Sequence, residues 1–270
     1  MPRFAANLSW LYGEAPFEQR PALAHRDGFT AVECLFPYET MNAGRFRTQL
    51  DQQALSLVLF NAPPGDWMRG DRGMAIFPER QEEFRRHLLD TALPYADITG
   101  CQRLHIMAGV LSPEDNPERA REMFLENLSW ACNQVTSHTV SLVIEPINDT
   151  DMPGYFLTRQ EQAHRLVADI NSPRLGVQMD LYHCQRMEGQ VWDEIMRYLP
   201  GGKVHHMQIA GHPGRHEPLA GTIPYPAIFD LVDRLGYPGY LGCEYSPLAQ
   251  TQDGLAQWLP SNFKLGKNHV

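Results

Sequence analysis

Four oxygen-bearing side chains stand at the ends of short β-like runs: Glu145 in VSLVIEP, Asp180 in LGVQMD, Gln208 in KVHHMQIA and Glu244 in YLGCEYS. Three carboxylates and an amide gathered at one place would repel one another and lose hydration unless something neutralises them. A divalent cation does so, and all-oxygen ligation by carboxylates and an amide carbonyl suits Mg2+ or Mn2+ better than Zn2+. Taken singly, an acid at a strand end more often caps the next helix or pairs with an arginine. Four of them, each closing its own run, fit that explanation poorly. Close behind come His183 in DLYHCQRMEG and the stretch QIAGHPGRHEP with His212, Arg215, His216 and Glu217. A histidine there can donate a hydrogen bond to a substrate oxygen, and an arginine fork suits a carboxylate. Isolated residues of these types are usually solvated loop side chains; their position just past two of the acid-bearing runs favours binding.

Something must carry those side chains to one rim. Apolar runs recur at Arg3 to Leu8, Thr30 to Phe36, Leu55 to Asn61, Arg103 to Ala108, Val140 to Glu145, Leu175 to Asp180, Val204 to Ile209 and Tyr240 to Tyr245, and each reads as a strand. Between them PERQEEFRRHLLDTALPYADITG, PERAREMFLENLSWACNQVTSH, TRQEQAHRLVADI and YPAIFDLVDRLG have helical periodicity. Alternating strands and helices predict a parallel α/β sheet, and eight repeats in this length favour a single (β/α)8 TIM barrel spanning residues 1–270. An open doubly wound sheet is the fallback, weakened because no GxGxxG follows the first strand. In a barrel the carboxyl ends of the strands build the active site. Side chains alternate along a strand, so Val143 and Glu145, Gly176, Gln178 and Asp180, Val204, His206 and Gln208, and Gly242 and Glu244 are each expected to face the interior together. The adjacent His205 and His206 should then face opposite ways, with His206 inside as a packing residue.

The 270-residue chain is 43% hydrophobic and 20% charged, ordinary for a soluble globular domain and large enough for a sizeable core. Its formal charge of -9 supplies no basic field for nucleic acid or anionic lipid, so neither is expected as a partner. An anionic ligand would need local counter-charge. The five cysteines are odd in number and form no CxxC pair, which fits a reduced, cytoplasmic setting. No basic segment followed by an apolar stretch opens the chain, and no apolar run approaches ~20 residues, so neither export nor a membrane span is expected. The longest irregular piece, Asn61 to Pro78, contains Trp67, Arg69, Asp71 and Arg72. Loops of that length are often lids over a ligand; the competing reading packs Trp67 on the barrel rim.

The chain resembles the hydroxypyruvate isomerase family of the xylose-isomerase-like barrels. FAANLSWLYGE, AVECLFPYE, NAPPGDW, IEPIN followed by DMPGYFLT, QMDLYHCQRMEG, QIAGHPGRHEP and GCEYSP carry the likeness, in order, from Phe4 to Pro247. The resemblance implies an aldose–ketose type isomerisation of a small anionic hydroxy-oxo acid, hydroxypyruvate to 2-hydroxy-3-oxopropanoate. It makes Glu145 and Glu244 the acid/base pair, and the same two with Asp180 and Gln208 the shell of a divalent metal, Mg2+ or Mn2+. One Glu would take a proton from C3 and the other return one to C2 through an enediolate. His183, Arg215, His212 and Trp67 are the expected substrate-binding side chains, Arg215 holding the carboxylate. A 2-oxo-tetronate isomerase is the nearest alternative and a sugar epimerase the next. A metal-dependent endonuclease fits poorly, because that chemistry uses several histidine ligands and a basic groove, and a non-catalytic metal-binding protein would need no acid pair. The oligomeric state is open, a homo-oligomer included.

Overall fold

In the computed structural model, which describes residues 1–259, eight strands close into a parallel barrel in chain order. They are β1 (Arg3–Asn7), β2 (Ala31–Cys34), β3 (Ser56–Asn61), β4 (Arg103–His105), β5 (Ser141–Ile144), β6 (Leu175–Asp180), β7 (Val204–Ile209) and β8 (Tyr240–Cys243). Every run expected from the sequence is a strand. Glu145 and Glu244 lie one residue past β5 and β8, where the backbone leaves the ladder and the side chains reach the rim. Pairing of β1 with β8, from Arg3 opposite Tyr240 to Ala6 opposite Cys243, seals the barrel.

Helices α1 (Arg20–Arg26), α2 (Ala43–Gln52), α3 (Gln81–His87), α4 (Leu93–Thr99), α5 (Pro117–Gln134), α6 (Gln160–Ile170), α7 (Leu181–Glu188), α8 (Val191–Tyr198), α9 (Tyr225–Arg234) and α10 (Thr251–Trp258) lie between and after the strands. Among the described residues no helix is long and apolar enough to cross a membrane. The span read as one helix after β3 has a π-helical turn, Leu88–Ala92, between α3 and α4. Pro94 explains it: lacking an N–H, it cannot bond back into the preceding turn.

Strands covered on both faces are buried throughout; all six residues of β6 are inaccessible, as parallel sheets require. Outward residues such as Leu57, Leu142, Val177 and Leu241 join the main apolar core. Inside the barrel, Ala5, Ala31 and Val58 form a separate small layer at the amino ends of β1 to β3. Above it the interior turns polar: Asn7, Glu33, Asn61, His105, Gln178, His206 and Gln208 are all buried.

Two register shifts interrupt the alternation. Opposite Val32 and Glu33, β3 carries an extra residue, Val58; opposite Val177 and Gln178, β7 carries an extra one, His205. A bulge turns consecutive side chains toward the same face. The His205 ring accordingly lies against Gly176, where a Cβ would come within 2.1 Å of it, while His206 is also inside. The expectation that these two histidines face opposite ways therefore fails, and Val204 pairs with the outward Val177. The bulge is a tertiary feature that period-two counting does not anticipate.

Candidate active site

Glu145, Asp180 and Glu244 meet at the carboxyl end of the barrel, where with His183 they bring ligand atoms within 4.8 Å of one another. Each arrives for a local reason. Asp180 ends β6 and caps α7, its Oδ1 accepting the backbone N–H of Tyr182 at 2.7 Å. Its Oδ2 remains for the site, 3.6 Å from Arg215 Nη2 and without a hydrogen-bond donor. The helix-capping explanation thus covers one oxygen of this carboxylate and leaves the other to chemistry. Glu244 accepts from Asn7 Nδ2 at 3.1 Å through one oxygen and from Arg215 Nη2 at 2.5 Å through the other. Glu145 Oε2 lies 3.5 Å from His105 Nδ1, and its Oε1 is buried with no partner.

Burial first, and then the neighbouring Glu244 and Asp180, push the Glu145 carboxyl well above the usual carboxylate range. Burial raises Glu244 as well, with Asp180 and Glu33 adding to it and Arg215 opposing. Asp180 is raised by burial against the pull of Arg215 and its helix-cap hydrogen bonds. Shifts in this direction favour the protonated carboxyl, and a bound cation would favour the ionised one. The buried, donorless Oε1 of Glu145 and Oδ2 of Asp180 are the acceptors a divalent ion needs, so the donor set fits one.

His183 has a determined tautomer. Asn148 Oδ1 accepts the backbone N–H groups of Thr150 and Asp151 at 3.1 and 2.8 Å, which turns its Nδ2 toward His183 Nδ1 at 2.6 Å. The Asn148 backbone N–H also points at Nδ1, at 3.3 Å. Nδ1 therefore accepts and the proton sits on Nε2, which faces Asp180 Oδ2 at 3.8 Å. Burial, helped by Arg215 and Arg186, holds this imidazole neutral. It is a donor toward the cavity, and a nitrogen that carries its proton is placed to hydrogen-bond rather than to ligate a metal.

Beneath the rim runs a network that reading the sequence missed. Glu33 crosses the barrel from β2, accepting from Asn7 Nδ2 at 2.9 Å and Gln208 Nε2 at 2.8 Å, with His206 Nε2 2.6 Å away. Gln208 Oε1 in turn accepts from Gln178 Nε2 at 2.6 Å. Gln208 lies in the expected layer with both amide atoms engaged by neighbours. Glu33 fits because β8 presents Gly242 to it; a Cβ there would come within 2.2 Å of Glu33 Oε2. The signal in the sequence was an acid inside an apolar strand, AVECLF, yet its partners lie far away in the chain.

A cavity of about 260 Å³ opens above the carboxylates, lined by Glu145, His183, Arg215 and Glu244 and, from the opposite side, by Trp67 and Arg72 of the Asn61–Pro78 loop. Asn61, His105, Gln178 and Asp151 also reach it. Trp67 packs on Phe36 with ring centroids 5.1 Å apart, so it is both a rim residue and a wall of the cavity. Of the expected substrate contacts, His183, Arg215 and Trp67 are brought together here. His212 is not among the lining side chains; its Nδ1 lies 3.0 Å from Thr222 Oγ1 within its own loop. A larger recess, about 610 Å³, lies at the other end of the barrel around Arg103, His205 and Tyr237. It is remote from the acid cluster, and the chemistry selects the smaller cavity.

Comparison with known proteins agrees with the barrel fold. The xylose isomerase-like TIM barrel family matches residues 21–262. The chain belongs to that family. Within it, the chain is 48% identical to the 2-oxo-tetronate isomerase of Cupriavidus necator over 259 residues, 96% of this chain and 98% of that protein. It is 38% identical to the hydroxypyruvate isomerase of Escherichia coli over 96% of this chain and 98% of that one. A crystal structure titled AP endonuclease, family 2, from Brucella melitensis superposes with a TM-score of 0.92 at 43% identity, covering 97% of this chain and 99% of that one. With isomerases of this family as near full-length relatives, the chain is an enzyme of isomerase type.

Proposed function

We propose that this enzyme interconverts hydroxypyruvate and 2-hydroxy-3-oxopropanoate, with Glu145 and Glu244 as the proton carriers. The observation that carries the reading is two buried carboxyls from different strands, both raised above the usual range, at the floor of one small cavity beside a neutral imidazole donor. Groups so placed can exchange protons with carbon near neutral pH.

One glutamate removes a proton from C3 and the other delivers one to C2, while the hydroxyl proton passes from the C3 oxygen to the C2 oxygen. The two roles exchange with reaction direction. His183 Nε2–H faces the cavity and donates to the migrating oxygen, stabilising negative charge as it develops. Asn7 and Arg215 hold Glu244 from its two oxygens, keeping it at one orientation between proton transfers. Glu145, Asp180 and Glu244 would hold a divalent cation, Mg2+ or Mn2+; Gln208, whose Oε1 already accepts from Gln178 Nε2, would join them only through the second lone pair of that oxygen. Such an ion, when bound, supplies Lewis acidity to adjacent carbonyl and hydroxyl oxygens and lowers the cost of removing the carbon-bound proton.

A second reading, isomerisation of a 2-oxo-tetronate, is favoured by the 48% identity to a relative of that name. Both acids share the reacting group and differ by one carbon. Assays of the purified protein on hydroxypyruvate and on 2-oxo-tetronates, with added Mg2+ or Mn2+ and with EDTA, separate the two by kcat/KM. No turnover of either acid under any of these conditions would refute the proposal. An endonuclease activity has little support in this chain: its net charge is -9, and the acid cluster includes one histidine.

A further inference from the structure

A carboxylate-bearing substrate entering this cavity meets Glu145, Glu244 and Asp151 in a protein whose net charge is already -9. It needs a cation, and the cationic side chains lining the cavity are Arg72 and Arg215. Arg215 already serves the acids of the site: its Nη2 pairs with Glu244 at 2.5 Å and lies 3.6 Å from Asp180. Arg72 is different. Among the described residues no carboxylate lies within ion-pair distance of it, and the hydrogen bonds it makes run from Nη1 to the carbonyl oxygens of Trp67, at 3.1 Å, and Asp71, at 2.7 Å. Its guanidinium stacks 3.7 Å above the Trp67 ring, which leaves the Nε and Nη2 edge of the fork for a ligand.

The backbone makes this cation pre-positioned. Gly73, the next residue, has φ of 120°, and a Cβ there would lie 2.4 Å from the Met107 carbonyl oxygen; it also bridges to Ala108. On the other side, Asp71 takes Arg80 Nη1 at 2.7 Å and the Asp66 backbone N–H at 2.7 Å. A side chain tied down before binding loses little freedom when the ligand arrives.

We propose that Arg72 is the seat of the substrate carboxylate. Small 2-oxo and 2-hydroxy acids then bind with the anionic end under the Asn61–Pro78 loop and the reacting carbons at Glu145 and Glu244. This rests on the isomerase reading above for the identity of the reacting end. It moves the carboxylate from Arg215, where the sequence suggested it, to a residue whose charge has no carboxylate partner among the described residues.

The test pairs glycerate, an unreactive carboxylate analogue, with its neutral amide, glyceramide, in calorimetric titrations of the wild-type protein and of Arg72→Gln, Arg72→Lys and Arg215→Gln, each with and without Mn2+. Removing a charge-assisted fork is expected to weaken glycerate binding about 30-fold in Arg72→Gln and to leave glyceramide within about twofold. Arg72→Lys keeps the charge without the fork and should recover part of the loss. Thermal melting of each variant checks its fold. Equal affinity of the wild type for glycerate and glyceramide overturns the assignment. So does an equal loss of both ligands in Arg72→Gln, or a glycerate preference that disappears in Arg215→Gln and survives in Arg72→Gln. Failure of the wild type to isomerise either acid would instead overturn the proposed reaction, and the glycerate titrations would still decide where the carboxylate sits.

Discussion

Glu145 and Glu244 carry opposite liabilities for stability and for chemistry. Burial raises both carboxyls, so each ionised form costs folding free energy while being poised for proton exchange. Replacing either by glutamine keeps the shape and removes the proton carrier. We expect Glu145→Gln or Glu244→Gln to lower kcat by about 10²–10⁴, with a melting temperature in metal-free buffer no lower than wild type; retention of near wild-type kcat would rule these residues out as the acid/base pair. The position of these two at the rim was legible because each ends an apolar run. Glu33 was not, although it is buried more deeply than either. An acid within a strand has no meaning until its partners are known, and Asn7, His206 and Gln208 come from two other strands. The direction of Arg215 was likewise hidden: the sequence shows a cation after β7, and only the fold shows Glu244 beside it.

Strand β8 serves the site through an absence of side chain as much as through Glu244. Gly242 lets the Glu33 carboxylate cross the barrel and touch both β1 and β7. The Gly242→Ala substitution should therefore displace Glu33 or the β8 backbone, lowering unfolding free energy by about 1–3 kcal/mol in denaturant titrations. It should also weaken activity, because Asn7, which holds Glu244, is bonded to the same carboxylate. An alanine variant with an unchanged denaturation midpoint would show that this close approach is unimportant. Strand identity was readable from apolar runs, and the inward parity of Gln178, Asp180, His206 and Gln208 followed from period two. The bulges at Val58 and His205 were not readable, since an extra residue in one strand is defined by its register against the next. The π-helical turn before α4 had a visible cause in Pro94, but its form depends on how the helix must still pack.

The whole barrel is expected to feel the cation that the three carboxylates would share. A ligand bound by the folded state alone stabilises it by about 2.7 kcal/mol at a hundredfold excess over Kd, a shift of roughly 5–10 °C for a chain of this size. Adding EDTA should lower the melting temperature by that order, Mg2+ or Mn2+ should restore it, and Asp180→Asn should abolish the difference; identical melts in all conditions would argue against a bound divalent ion. The amino-acid sequence by itself determined the alternation of strands and helices, the barrel, and the acids that close β5, β6 and β8, because hydrophobic periodicity and residue type are local properties of the chain. Tertiary structure alone decided which groups meet: Glu33 with His206, Arg215 with Glu244, the Nε2–H tautomer of His183, and Arg72 stacked on Trp67 in the lining of the cavity. Apart from Arg72 and Trp67, which share one loop, those pairings join segments far apart in sequence, and the energies of all of them depend on distance and burial, which exist only once the barrel has closed.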